Sequence, residues 1–269
     1  MNRDQAGREM AQETPPAIRK VKPPPDYPPE EGHYLRGNDY SPAAVVILLH
    51  TFYDKIPEYL ERLASISVET GAALAGMLQT ENIGVEKIVC NIVANPNIRY
   101  LIVCGVESPG HQPGQALSCL MRNGVDEHRC IVGAEAPTPY LYNIPLESIE
   151  RFRKQVTLVD LIAETGTSIA TDLEQVRQAV RSSYQEKPTE FMSLKLYDPG
   201  AYPEPAICSK LTWRISKPWT VTTEAEAQVL KSIQSSAKKA RQLADQELLS
   251  LLQPKAAQRD REKDEDRKV

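Results

Sequence analysis

The sequence predicts an α/β fold: a parallel sheet with flanking helices, plus a helical C-terminal extension. Three observations carry that expectation. Short runs rich in Val, Ile and Leu, "AAVVILL" (Ala43–Leu49), "RYLIVC" (Arg99–Cys104) and "CIV" (Cys130–Val132), lack the alternation of a half-exposed strand. Segments with apolar residues at helical spacing lie between and after them. Gly105 and Gly133 stop the second and third runs directly, so strands and helices alternate as they do when a parallel sheet is covered on both faces.

Taken in order, residues 1–25 form a flexible proline-rich arm, whose composition continues through "PPAIRKVKPPPDYPPEEG". After Ser41-Pro42 the first strand spans Ala43–Leu49. "SVETGAALAGMLQT" (Ser67–Thr80) and "NIGVEKIVCNIVAN" (Asn82–Asn95) read as two helices, the second closed by Pro96. The strand Arg99–Cys104 leads to a short helix, "GQALSCLMRNG", with Gly124 as its stop, and then to the strand Cys130–Val132. Ile149, Phe152, Val156 and Val159 predict a helix over Leu146–Ile162; Ile169, Leu173, Val176 and Val180 predict another over Ser168–Ser183. The main domain is thus expected over residues 26–185.

Residues 186–253 read as an extension. It begins proline-punctuated and β-prone, carries Trp213 and Trp219, and ends in a long helix capped by Thr222 or Thr223, with Val229, Ile233, Ala237, Ala240 and Leu243 on its stripe. Such a stripe packs on its own domain or docks a partner. Residues 254–269 form a charged tail, expected to be disordered. There is no internal repeat.

With 269 residues the chain holds one principal core, and 32 basic against 36 acidic residues leave a net charge of -4 that calls for no nucleic acid. The longest apolar run falls far short of the roughly 20 residues of a spanning helix, and the polar N-terminus lacks a signal peptide's apolar centre. A soluble, cytoplasmic protein is expected. Cys90, Cys104, Cys119, Cys130 and Cys208 form no CxxC pair, and His33, His50 and His128 are scattered without HExxH spacing, so neither a disulfide framework nor a zinc site is supported.

The informative stretch is "CGVESPGHQPGQAL", Cys104–Leu117. It places His111 where the second strand gives way to a helix, in the kind of loop that binds ligands at the carboxyl end of an open sheet. Gly105, Gly110 and Gly114 permit close backbone approach, Pro109 and Pro113 stiffen the path, and helix amides near Gly114 and Gln115 suit a polar or anionic group. There is no GxGxxG and no Gly-Lys-Ser/Thr, which argues against dinucleotide and Walker loops. His111 stays open as a turn residue, a general base oriented by Glu107 or Glu135, or the imidazole of a metal-centred cofactor. "HQPG" matches the HxxG core of the DxHxxG signature of cobalamin-binding modules, with Pro109 where that signature has Asp.

"TENIGVEKIVCNIVANPNIRYLIVCGVESPGHQPGQAL", with "YLRGNDYSPAAVVILL" upstream and "PYLYNIPLESIERFRKQVTLVDLI" downstream, resembles the A subunit of tetrahydromethanopterin S-methyltransferase. The likeness covers roughly Pro25 to Ile162 and keeps TEN, NPNIR, the strand ending CG and GHxxGQ in order. It implies a Rossmann-like domain that binds cobalamin or a related corrinoid and carries a methyl group on cobalt between a methyl-pterin donor and a thiol acceptor. Donor and acceptor proteins or subunits would be its partners. His111 matches the cobalt-ligating histidine. Members of that family typically end in a membrane-anchoring helix, whereas this chain ends in charged residues, so no direct membrane span is expected.

The resemblance also implies a surrounding site. Glu81 and Glu107 are the candidates to hold the imidazole tautomer, Thr80 caps the next helix, and Asn82 offers amide contacts to the corrin side chains or nucleotide tail. Gly105, Pro109, Gly110, Gly114 and Gln115 would line the lower corrin face, with Gly133, Tyr140 and Asn143 from the following loop. Two other readings stand beside this one: a non-catalytic cobalamin-binding, storage or sensing module, and an enzyme of another ligand with His111 as acid or base.

Overall fold

The computed structural model describes residues 19–51, 56–108, 110–163 and 169–211, together with Gln228 and Lys231. Five strands form one sheet, β1 (Tyr34–Arg36), β2 (Ala43–Leu48), β3 (Leu74–Leu78), β4 (Tyr100–Val106) and β5 (Thr157–Ala163), in the order β1–β3–β2–β4–β5. All neighbours are parallel except β1, which runs antiparallel to β3 at one edge. The helices are α1 (Glu58–Thr70), α2 (Ile83–Val93), α3 (Pro113–Asn123), α4 (Leu146–Gln155) and α5 (Ile169–Ser183); a short hairpin, β6 (Thr189–Phe191) and β7 (Leu194–Leu196), follows.

Strand alternation builds two cores. Val46, Leu48, Leu101 and Val103 face one side, packing with Val85 and Val89 of α2, Leu117 and Leu120 of α3, and Phe152 of α4. Val45, Ile47, Ile102 and Cys104 face the other, against Leu60 and Leu63 of α1 and Val176 and Val180 of α5. Every residue of β2 is buried, as its uniform apolar sequence requires of a central strand covered on both faces. The α/β, Rossmann-like expectation therefore holds.

Three elements differ from the sequence reading. Ser67–Thr80 is not one helix: α1 ends at Thr70, Gly71 takes a left-handed φ of 119° as its C-cap, and Leu74–Leu78 becomes β3. The small residues Ala73, Ala75 and Gly76 fit a helical repeat as well as a fully covered strand, so periodicity alone does not separate the two. The helix over Leu146–Ile162 stops at Gln155, and the β-branched run from Val156 onward enters β5. Cys130–Val132 is no strand; residues 125–144 are an irregular excursion with the isolated bridges Val125–Ile131 and Cys130–Tyr140.

Residues 19–21, within the expected arm, are tied down: Val21 exchanges hydrogen bonds with the Asn97 side chain, and Lys20 pairs with Asp198 at 2.6 Å. The long helix after Thr223, apart from Gln228 and Lys231, lies outside the described residues, as do Trp213, Trp219, Pro109 and the charged tail.

Candidate functional site

Because β2 lies between β3 and β4, the loops that leave β3 and β4 rise on either side of its carboxyl end, the switch point at which open α/β sheets bind ligands. Glu81 follows β3 and His111 follows β4, and there they meet: Nδ1 of His111 is 2.9 Å from Oε2 of Glu81. The pair is asymmetric, for the Glu81 side chain is fully buried while 51% of the imidazole is exposed.

A buried carboxylate must have its lone pairs satisfied. Oε1 of Glu81 accepts from the Thr138 backbone N–H at 3.1 Å and from the Thr138 hydroxyl at 2.7 Å, and Nδ2 of Asn82 donates to that hydroxyl oxygen at 3.0 Å. The remaining oxygen faces Nδ1. This donor arrangement assigns the neutral tautomer with the proton on Nδ1, leaving the Nε2 lone pair on the exposed ring without a hydrogen-bond partner among the described residues.

The second carboxylate near the loop has another task. Glu107 accepts from the backbone N–H groups of Gly114 at 3.1 Å and Gln115 at 2.5 Å, capping the start of α3. Those are the amides that the sequence offers to an external polar group, and they are taken. Of the two candidates for holding the imidazole, the structure thus selects Glu81.

The predicted glycines divide in the same way. A Cβ at Gly114 would meet Ile162 Cδ1 and Leu48 Cδ1 at 2.8 Å, so this glycine lets α3 pack on the sheet, and Gly105 pairs with Leu48 inside the sheet. Gly110 differs: its φ is +82° and nothing lies within 4 Å of a Cβ built there, so it fronts open space next to His111. The loop then turns through Gln112 in the left-handed region and enters α3 at Pro113.

Thr80 caps α2 by accepting from the Gly84 N–H. The Gln115 side chain bridges the Gly133 carbonyl and the Glu135 N–H, fixing the excursion rather than facing His111. Tyr140 stacks on Tyr142 with ring centroids 5.5 Å apart, and Asn143 binds the carboxylate of Glu86. Sequence reasoning missed Thr138 and Glu86. Thr138 sits between Pro137 and Pro139, a stiff setting for its two donors, but nothing in the spacing links it to Glu81. A cavity of about 460 Å³ under α2, lined by Val46, Leu74 and Met77 among others, has Thr80 and Asn82 among its lining residues.

The family model of MtrA, the A subunit of tetrahydromethanopterin S-methyltransferase, matches residues 20–201, which contain the whole of this arrangement. The chain belongs to that family. The second form of this protein in Methanothermobacter thermautotrophicus is 42% identical over 173 residues, 64% of this chain and 88% of the relative. The first form in Methanothermobacter marburgensis is 37% identical over 195 residues, 72% and 70% of the two chains. Membership makes this chain a methyltransferase component that works with partner subunits. Among the described residues no helix is long and apolar enough to cross a membrane.

Proposed function

We propose that the chain is the corrinoid-binding methyl carrier of its methyltransferase, with His111 donating Nε2 to cobalt as the lower axial ligand. The observation that carries this reading is the His111–Glu81 pair: one exposed imidazole whose inner nitrogen is held by a fully buried, fully satisfied carboxylate. That donor set fits a metal-centred group needing a single protein ligand, and it offers no cluster for a bare ion; among the described residues no three His, Cys, Asp or Glu side chains converge.

When bound, the corrinoid supplies a cobalt centre able to take a methyl group from a methyl-pterin donor and yield it to a thiol acceptor. The chain's residues do the rest. Glu81 keeps the proton on Nδ1 and raises the basicity of Nε2, Thr138 and Asn82 hold Glu81 in place, and Gly110 leaves the approach to the ring open. Glu107 keeps α3 anchored as His111 changes its bonding. Asn82 and Thr80, on the cavity under α2, are the contacts we assign to the nucleotide substituent of the corrinoid.

The test is reconstitution of the purified full chain with cob(III)alamin, followed by visible spectroscopy and, after reduction to Co(II), the nitrogen superhyperfine pattern. Wild type should bind and show one coordinating imidazole nitrogen, and His111→Ala should lose that signature. No corrinoid bound by wild type would overturn the proposal. Binding without methyl exchange, when methyl-tetrahydromethanopterin, a thiol and the partner subunits are supplied, would indicate a storage or sensing module.

A further inference from the structure

We propose that Glu86 is a positioning residue for the His111–Glu81 pair: it clamps the 125–144 excursion to α2 through Asn143 and so holds Thr138 on Glu81. Glu86 is fully buried, on the first turn of α2. The Asn143 backbone N–H donates to Oε1 at 2.7 Å and Asn143 Nδ2 donates to Oε2 at 2.8 Å. Glu81 with Thr138 and Glu86 with Asn143 are each 57 residues apart in sequence, so two carboxylates five positions apart grip two residues five positions apart.

The excursion needs such a grip. It has no helix or strand of its own, only isolated bridges, and its donors reach Glu81 from between two prolines. Seating Asn143 fixes the register of the five-residue link back to Thr138, and Thr138 fixes which oxygen of Glu81 is left for His111. Loss of the clamp therefore acts on the imidazole at a distance, through two hydrogen-bonded steps.

Both oxygens of Glu86 face N–H donors, so the clamp is whole only when the carboxyl is ionised; a proton on either oxygen sets donor against donor. Burial pushes this carboxyl up to about 7, with Glu30 adding to the push and the Asn143 bonds and Arg129 opposing it. The groups facing it are Arg129 from the excursion, Glu30 from the N-terminal segment and Cys90 one turn along α2, whose thiol burial pushes up to about 12. Arg151 of α4 is committed to Gln155 and Glu204, and Arg122 of α3 to the Ser118 carbonyl.

The proposal takes its functional meaning from His111 as a cobalt ligand, but its test uses the full chain without corrinoid. Nitrogen-15 NMR at about pH 8, where imidazole is neutral, reads the His111 tautomer, and amide exchange reads Thr138. In wild type we expect the Nδ1–H tautomer and a protected Thr138 amide. Glu86→Gln turns an amide donor toward Asn143; Thr138 should then exchange roughly tenfold faster, the scale of one lost buried hydrogen bond, and His111 should move toward the Nε2–H tautomer. The β4 amides of Ile102 and Val103 should keep their protection.

Adding Asn143→Asp to Glu86→Gln gives the glutamine amide a carboxylate to donate to and should restore both signals, a rescue that mere packing at position 86 does not predict. Should Glu86→Gln not fold, Asn143→Ala breaks the same clamp and should give the same two shifts. An unchanged His111 tautomer and Thr138 exchange in a folded clamp variant, or a loss of protection spread equally over β4, would overturn the proposal. If the shifts appear but wild type binds no corrinoid, the clamp stands and only the cofactor reading falls.

Discussion

Glu81 turns an ordinary exposed histidine into a directed donor. Its neighbours all give hydrogen bonds, so the carboxylate is satisfied in its ionised form, and the imidazole is oriented by a group that solvent does not reach. Glu81→Gln keeps the shape and inverts one donor. The glutamine oxygen serves Thr138 and its NH2 meets Nδ1, which pushes the imidazole proton out to Nε2. Corrinoid titration of Glu81→Gln should show metal-ligand affinity lowered by about 10–100-fold, the usual effect of losing a carboxylate behind a metal-bound histidine, with the imidazole hyperfine signal weakened or lost. Unchanged affinity would remove Glu81 from the site's chemistry and leave it a structural group.

At the scale of elements, the join between α3 and the sheet is the tightest constraint. A Cβ at Gly114 has no room between Leu48 and Ile162, both side chains of the core layer beneath α3. Gly114→Ala should therefore lower stability by about 1–3 kcal/mol, measured by urea denaturation, because the helix must lift or the core side chains leave their rotamers. Since α3 begins two residues after His111, the same variant should shift the His111 ring resonances, whereas an equally destabilising change in α1 should not.

Legibility in the sequence follows the same elements. β2 and β4 are readable because uninterrupted β-branched and Leu residues leave no simpler alternative. β3 and β5 are hidden, the first by alanines and glycine that suit a helix, the second by helical spacing that carries over from α4 into Val156 and Val159. His111 and Glu81 are readable through ordered family motifs, GHxxGQ and TEN, and not through periodicity. Thr138 and Glu86 are unreadable, for their partners lie 57 residues away across a segment with no regular structure. Glu86 also sits in an apolar stretch of α2 where sequence offers no sign that a carboxylate is buried.

For the whole molecule, that buried carboxyl makes stability depend on pH with a definite sign. The native carboxyl is raised to about 7 from an ordinary 4.5, so between those values the folded state binds the extra proton. Stability from this group is complete below about 4.5 and is lost as pH rises through about 7, a change on the order of 3 kcal/mol. Urea titrations at the two ends of this window should show Glu86→Gln less pH-dependent than wild type by that amount. An identical slope in both proteins would mean the carboxyl titrates normally.

The segments at either boundary of the described core converge at the pole away from the imidazole. Arg19 accepts from Ala201, Val21 lies on Asn97, and Tyr202 and Ile207 donate to the carbonyls of Pro96 and Val93, between the end of α2 and the start of β4. There the Tyr202 ring is flanked by the guanidinium groups of Arg99 and Arg151, and Leu211 donates to Glu30. The covalent leads to residues 1–18 and 212–227 thus leave from beneath the domain. A protein that must present one small face to two reaction partners in turn can in this way be leashed from behind, with its own tether clear of the visitors.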